Sequence, residues 1–234
     1  MGKLIPLVAL ILIFVSFVAW ATTEDKSLEA MEWYGKGIRA RKAMNYDMAI
    51  KCFNKSIDIF SKIGPMLDKE FPENIIENIL HSHSDAHTSL GMIYQERGML
   101  RKAVSEYKKA VAIYPHSVSS HFNLGCCYDK LGKQKEAIYE YKSALDNSIY
   151  AGDSDYKFIY SQAHYNLGLI HKKSQPALSA DHLYKAGLLF LEQGDIDSAL
   201  EAYNSLKEIK EELARELYEE LSPKLKKKKG EPAK

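Results

Sequence analysis

The chain has 234 residues, a mass of 26.6 kDa, a net charge of +1 and a pI near 7.7. Its 46% hydrophobic and 27% charged residues exclude a wholly disordered chain, and the near-neutral balance argues against a dedicated nucleic-acid binder. Three cysteines, two of them the neighbours Cys126 and Cys127, are too few and of the wrong parity for a disulfide scaffold.

The N-terminus is the first element. Leu4 to Trp20 carries no charge and is nearly all apolar. Lys3 precedes it, and Ala19-Trp20-Ala21 places small residues two apart before the polar run Thr22 to Lys26. This pattern predicts that residues 1–21 are a secretory signal peptide or an uncleaved membrane anchor, because the apolar run lies between the usual lengths of the two. Either way Lys3 and the α-amine stay on the cytoplasmic side. The body is then exported: periplasmic or otherwise extracytoplasmic, soluble after cleavage near Ala21 or held by the uncleaved helix. Residues 22–27 read as a linker.

From residue 28 to 221 apolar residues recur at spacings of three and four, the period of helices with one buried face. One segment reads His87-x-x-Leu90-Gly91-x-x-Tyr94, then Gly98, Ala103-x-x-x-Tyr107 and Ala110. Another reads His121-x-x-Leu124-Gly125-x-x-Tyr128, then Gly132, Ala137-x-x-x-Tyr141 and Ala144. All eight positions agree at one offset of 34 residues. Looser copies begin at Trp33-x-x-Lys36-Gly37, with Ala49-x-x-x-Phe53, and at Leu183-x-x-Ala186-Gly187, with Gly194 and Ala199-x-x-x-Tyr203; His164-x-x-Leu167-Gly168 matches a first helix only.

This pattern resembles the tetratricopeptide repeat, whose period is 34 residues. The resemblance implies an all-α fold, an α-solenoid of stacked helix-turn-helix pairs closed by a long C-terminal capping helix. The repeats fall at about 30–63, 84–117, 118–151, a partial 161–179, and 180–213, with insertions at 64–83 and 152–160. Apolar residues within the first insertion, among them Ile75, Ile76 and Ile79, predict an extension of the first helix of repeat two that packs on repeat one. The last helix is predicted from about Ile196 to Leu221, with Leu206, Ile209, Leu213, Leu217 and Leu221 forming one stripe. A basic tail, 222–234, reads as disordered: Lys224 to Lys234 carries +5 and leaves the rest of the chain at −4.

No nucleophile elbow, phosphate loop, H-E-x-x-H or G-x-G-x-x-G is present, so no enzyme activity and no cofactor are expected. His81, His83 and His87 form the densest histidine cluster. His87, His121 and His164 share repeat position four, where the family usually has Trp, so packing explains them better than metal ligation. The resemblance also implies where a partner peptide would lie. Transferred position by position, the peptide groove comprises Tyr34, Ile38, Thr88, Met92, Phe122, Cys126, Tyr165, Leu169, Tyr184 and Leu188. This set lacks the Lys and Asn of carboxylate-clamp members and suits an apolar or amphipathic segment.

The expected function is that of a non-catalytic scaffold or adaptor that holds a protein partner and assists assembly of an envelope complex. Residues 4–20 and the Lys tail would associate it with a membrane. The competing reading is a homo-oligomeric structural module assembling through the C-terminal helix.

Overall fold

The computed structural model describes residues 7–67, 71–147 and 156–228. Those residues form ten α-helices and one 3₁₀ turn, with no strand among them. In chain order they are α1 (Leu7–Lys42), α2 (Tyr46–Ile63), the turn Gly64–Met66, α3 (Glu73–Glu96), α4 (Leu100–Ile113), α5 (Val118–Lys130), α6 (Gln134–Asp146), α7 (Lys157–His171), α8 (Pro176–Glu192), α9 (Ile196–Lys207) and α10 (Glu211–Lys228). The fold is all-α, built of helix-turn-helix pairs with a long C-terminal helix, α10. The chain divides after Pro115 into two compact units.

Local chemistry marks the helix ends. Asn45 and Asp195 cap α2 and α9 by accepting from the Met48 and Ser198 amides, each at 3.1 Å. Gly98, Gly132 and Gly194 end the first helices of their pairs with φ of +72° to +75°. Repeat one has Met44 at the same register position, with φ of +56°, the one positive-φ non-glycine residue among those described. A left-handed residue with a Cβ costs about 1–2 kcal/mol, and the turn imposes it here because the chain must reverse at that residue.

In unit 1 two clusters join α1, α2 and α3. Ala30, Ile59, Phe60, Ile63 and Ile79 form one, with Trp33 and Ile75 against it; Ala49, Phe53, Leu90 and Ile93 form the other. The insertion therefore lengthens α3 and lays Ile75 and Ile79 on repeat one. Unit 2 centres on Leu183, Phe190, Leu206, Leu217 and Leu221, drawn from α8, α9 and α10.

A recurring notch sets the helix pairing. A methyl group added at Gly37, Gly91 or Gly125 would lie 2.6–2.8 Å from the ring of Phe53, Tyr107 or Tyr141, each sixteen residues on. Only a residue without Cβ lets the second-helix ring lie that close.

Several expectations are corrected. Residues 22–27 are not a linker but lie inside α1, where Thr23 and Ser27 are buried and the Ser27 hydroxyl donates to the Glu24 carbonyl at 2.8 Å. Neither Gly nor Pro interrupts that stretch, so nothing ends the helix. The segment 196–221 is two helices, broken between Lys207 and Glu211. The tail is helical through Lys228, with Pro223 tolerated inside α10. The partial repeat at 161–179 finds its second helix in α8, which is also the first helix of the last repeat. The beginning of the N-terminal segment (residues 1–6), residues 68–70, the end of repeat three with the first part of the second insertion (148–155), and residues 229–234 lie outside the described residues.

Among the described residues no helix is long and apolar enough to cross a membrane.

Candidate functional site

The histidines at repeat position four are hydrogen-bonded as well as packed. His87 Nδ1 lies 2.8 Å from Glu106 Oε2, and His121 Nδ1 lies 2.7 Å from Glu140 Oε2. Each pair joins the first helix of a repeat to its second across 19 residues. Burial raises the Glu106 carboxyl, but hydrogen bonds from His87 and Lys109 outweigh it and hold the group below its ordinary value. These carboxylates went unread in the sequence, although a Glu stands 19 residues after both His87 and His121 in the strict copies.

In the partial repeat the carboxylate is replaced. His164 Nδ1 of α7 faces His182 Nδ1 of α8 at 2.8 Å. His171, two turns further along α7, stacks on His182 with ring centroids 6.2 Å apart and planes at 12°, and its Nε2 is buried without a partner.

The His81–His87 cluster resolves differently. His81 approaches the Asp85 carboxylate at 3.4 Å and sets its edge to Tyr114. His83 stacks on Phe60 at 5.6 Å, and burial holds it well below the usual histidine value, at about 4. Among the described residues no group of three His, Cys, Asp or Glu side chains is placed to hold a metal ion.

The ten groove positions fall four in unit 1 and six in unit 2. In unit 1, Tyr34 tilts against Phe53 at 5.7 Å and accepts from the Ser89 hydroxyl at 3.5 Å. Thr88 is a correction: it is only 4% exposed, and its hydroxyl donates back to the Ser84 carbonyl at 2.9 Å, so it is core and not lining. Ile38 borders an open hollow of about 290 Å³ shared with Arg41, Lys42, Met44, Tyr46 and Glu96. Arg41 pairs there with Glu96 and donates toward the Met92 sulfur at 3.8 Å.

In unit 2, Phe122 tilts on Tyr141 at 5.8 Å and Tyr165 sets its edge to Phe190 at 6.3 Å. Asn166 Nδ2 donates to the Tyr141 hydroxyl at 3.1 Å and lies 4.0 Å from Cys126 Sγ. Burial pushes the Cys126 thiol up and so favours its protonated form. Leu169 is 41% exposed, and Tyr165, Tyr184 and Leu188 are half-buried around the unit 2 core. Burial, then the Glu216 carboxylate, raises the Tyr184 hydroxyl. The rings of Tyr34, Phe122 and Tyr165 thus pack on their own second helices and remain half-buried.

Two of the C-terminal lysines are engaged. Lys224 Nζ donates to the Leu191 carbonyl at 2.8 Å, near the carbonyl end of α8, and Lys228 pairs with Asp197 at 2.7 Å. Of the predicted stripe, Leu206, Leu217 and Leu221 are fully buried in unit 2, and Ile209 and Leu213 are half-buried against the same core.

No curated protein matches the chain in sequence. The similar solved structures include the MamA protein, 20% identical over 88% of this chain and 97% of that one, with a TM-score of 0.57. A Podosopora anserina protein described as a kinesin light chain with nearly identical TPR-like repeats is 17% identical over 87% and 97%, at 0.57. BtubC (BKLC) from P. vanneervenii is 15% identical over 90% and 88%, at 0.50. At these identities the likeness is one of fold. Models of the tetratricopeptide repeat match residues 82–148 and residues 181–209, so the chain carries tetratricopeptide repeats in those two segments, on a tetratricopeptide-like helical solenoid.

Proposed function

We propose that the chain is a non-catalytic interaction scaffold that holds an apolar or amphipathic segment of a partner protein. The observation that carries this is in unit 2. Phe122, Tyr165, Tyr184 and Leu188 remain half-exposed at first-helix positions, and Leu169 is 41% exposed, beside a core that is otherwise closed. Aromatic rings anchored on one side and open on the other are suited to bury a partner's apolar side chains at little entropic cost. The fold supports the reading, since stacked helix pairs offer a rigid surface much longer than one helix.

The run Leu4–Trp20 behind Lys3 supports export, with the body outside the cytoplasm and the run either removed near Ala21 or kept as an anchor. Assistance to assembly of an envelope complex is the role we infer from that location.

Cross-linking and pull-down from intact cells tests the proposal. Wild type is compared with a Phe122→Ala, Tyr165→Ala, Tyr184→Ala variant whose helical circular dichroism is unchanged. A specific partner lost in the variant supports the surface; the same partners retained at the same yield overturn it. Light scattering over a concentration series runs beside it, and growth of the mass with concentration would favour the homo-oligomeric module instead.

A further inference from the structure

We infer that the His164–His182 contact is an acid-sensitive joint that lets α7 part from α8 while the equivalent pairing in repeats two and three holds. The argument rests on one substitution in a repeated latch. Repeats two and three join first helix to second through His87–Glu106 and His121–Glu140. A proton on either imidazole there creates an ion pair and tightens the latch. The α7–α8 pair has an imidazole on both sides. At neutral pH one ring donates through Nδ1–H and the other accepts through its Nδ1 lone pair. A first proton goes to the outward nitrogen of the donor ring and leaves that bond in place. A second proton must go to the accepting Nδ1, where it sets N–H against N–H and cation against cation.

The surroundings do not compensate. Lys142 faces His182 and His171 from α6. Lys185 and Asp181 flank the pair on α8, and His171 stacks on it from α7. Glu216 and Glu220 of α10 are directed at Tyr184. Two lysines thus stand against one carboxylate, and that carboxylate makes no hydrogen bond to either ring. Burial, joined by the facing imidazole at His164 and by His171 and the lysines at His182, holds both groups at about 4. The closed joint therefore binds fewer protons than the open one below pH 6.5, and acid favours opening. Tyr165 and Leu169 ride on α7, and Tyr184 and Leu188 on α8. Opening would divide the proposed interaction surface; that consequence rests on the scaffold reading, whereas the joint does not.

Backbone hydrogen exchange on the full-length chain tests it, at pH 7 and pH 5, corrected for intrinsic exchange. Amides of α7 and α8 are expected to lose at least about tenfold more protection than those of α5 and α6 over that interval. His182→Glu, which restores the latch of the earlier repeats, is expected to abolish the difference. His182→Gln, which cannot take the second proton but leaves His164 buried, should reduce the difference and serves if the glutamate variant does not fold. Parallel loss of protection in both helix pairs of the wild type would overturn the joint. So would a wild-type differential that persists undiminished in the folded variants. Partner binding is not read out, so failure of the scaffold proposal would leave this result intact.

Discussion

Gly187 of α8 packs against Leu217 of α10, not against Tyr203, the residue that stands at the sixteen-residue spacing of the other repeats. Gly37, Gly91 and Gly125 all meet the ring at that spacing, and Gly168 meets Leu183. The glycine notch is thus re-used at the end of unit 2 to seat the last helix. Gly187→Ala should drive a methyl into Leu217 and destabilise the protein by about 1–3 kcal/mol, the usual cost of overpacking. Leu217→Ala alone should cost about 2–5 kcal/mol. The double variant should be more stable than the sum of the two losses, because each relieves the other's clash or gap. Urea unfolding of the four proteins measures the coupling, and strict additivity would mean the two residues do not touch.

Met44 should gain from the residue that the later repeats use. Met44→Gly removes the Cβ from a left-handed turn at φ of +56° and leaves a side chain that is 77% exposed, so little burial is lost. A rise in stability of about 1 kcal/mol is expected. Gly98→Ala, at φ of +72° with open space around it, should do the reverse by a similar amount through backbone strain alone. Thermal midpoints of both variants check the sign.

The buried carboxylate partners are expected to matter more than surface ion pairs. Glu140 is 9% exposed, so Glu140→Ala leaves His121 Nδ1 without its bond and should cost about 1–3 kcal/mol. Glu140→Gln keeps an acceptor within reach and should cost less than half as much. Lys62→Ala, which removes an exposed i,i+4 pair with Asp58, should change stability by no more than about 0.5 kcal/mol.

Acid stability should fall in two stages. His83, like His164 and His182, stands at about 4 in the folded chain. The unfolded chain takes these protons near pH 6.5 and the folded chain only near 4. Stability from these groups is full above pH 6.5 and is lost as pH falls toward 4. Glu106 is also lowered, so its contribution is present above about pH 4.5 and disappears below that. His83→Leu, between Phe60 and His87, should remove part of the upper stage, raising the midpoint at pH 5 by about 2–4 °C with little change at pH 8. Equal shifts at the two pH values would show that only packing had changed.

The end of α10 should prove structural. Lys224→Met keeps the apolar stem and loses the ammonium on the Leu191 carbonyl, and should cost about 0.3–1 kcal/mol. The loss should persist at moderate salt more than that of Lys228→Met, whose pair with Asp197 is exposed. Midpoints at two salt concentrations separate the two.

The helices, their pairing in the strict copies and the small residues at the crossings were legible in the sequence, because a 34-residue repeat records in each copy which side of a helix is covered. His87 and His121 were legible as packing residues for the same reason. Their carboxylates were not, since Glu106 and Glu140 look like ordinary surface charges until the second helix turns them inward. Thr88 was placed on a groove by register alone; its hydroxyl can satisfy itself on the Ser84 carbonyl, and that permits burial. The break between α9 and α10 carries neither Gly nor Pro, so no local signal announced it.

The sequence by itself determined the period, the fold class and the glycine positions, all of which follow from local apolar spacing and the absence of Cβ. Only the tertiary structure decided that α8 serves two neighbours, that His164 meets His182 instead of a carboxylate, and that the basic tail folds back onto unit 2 as far as Lys228. The reason is physical: spacing reports that a face is apolar, whereas the helix that covers that face is selected by competition among all the segments able to reach it.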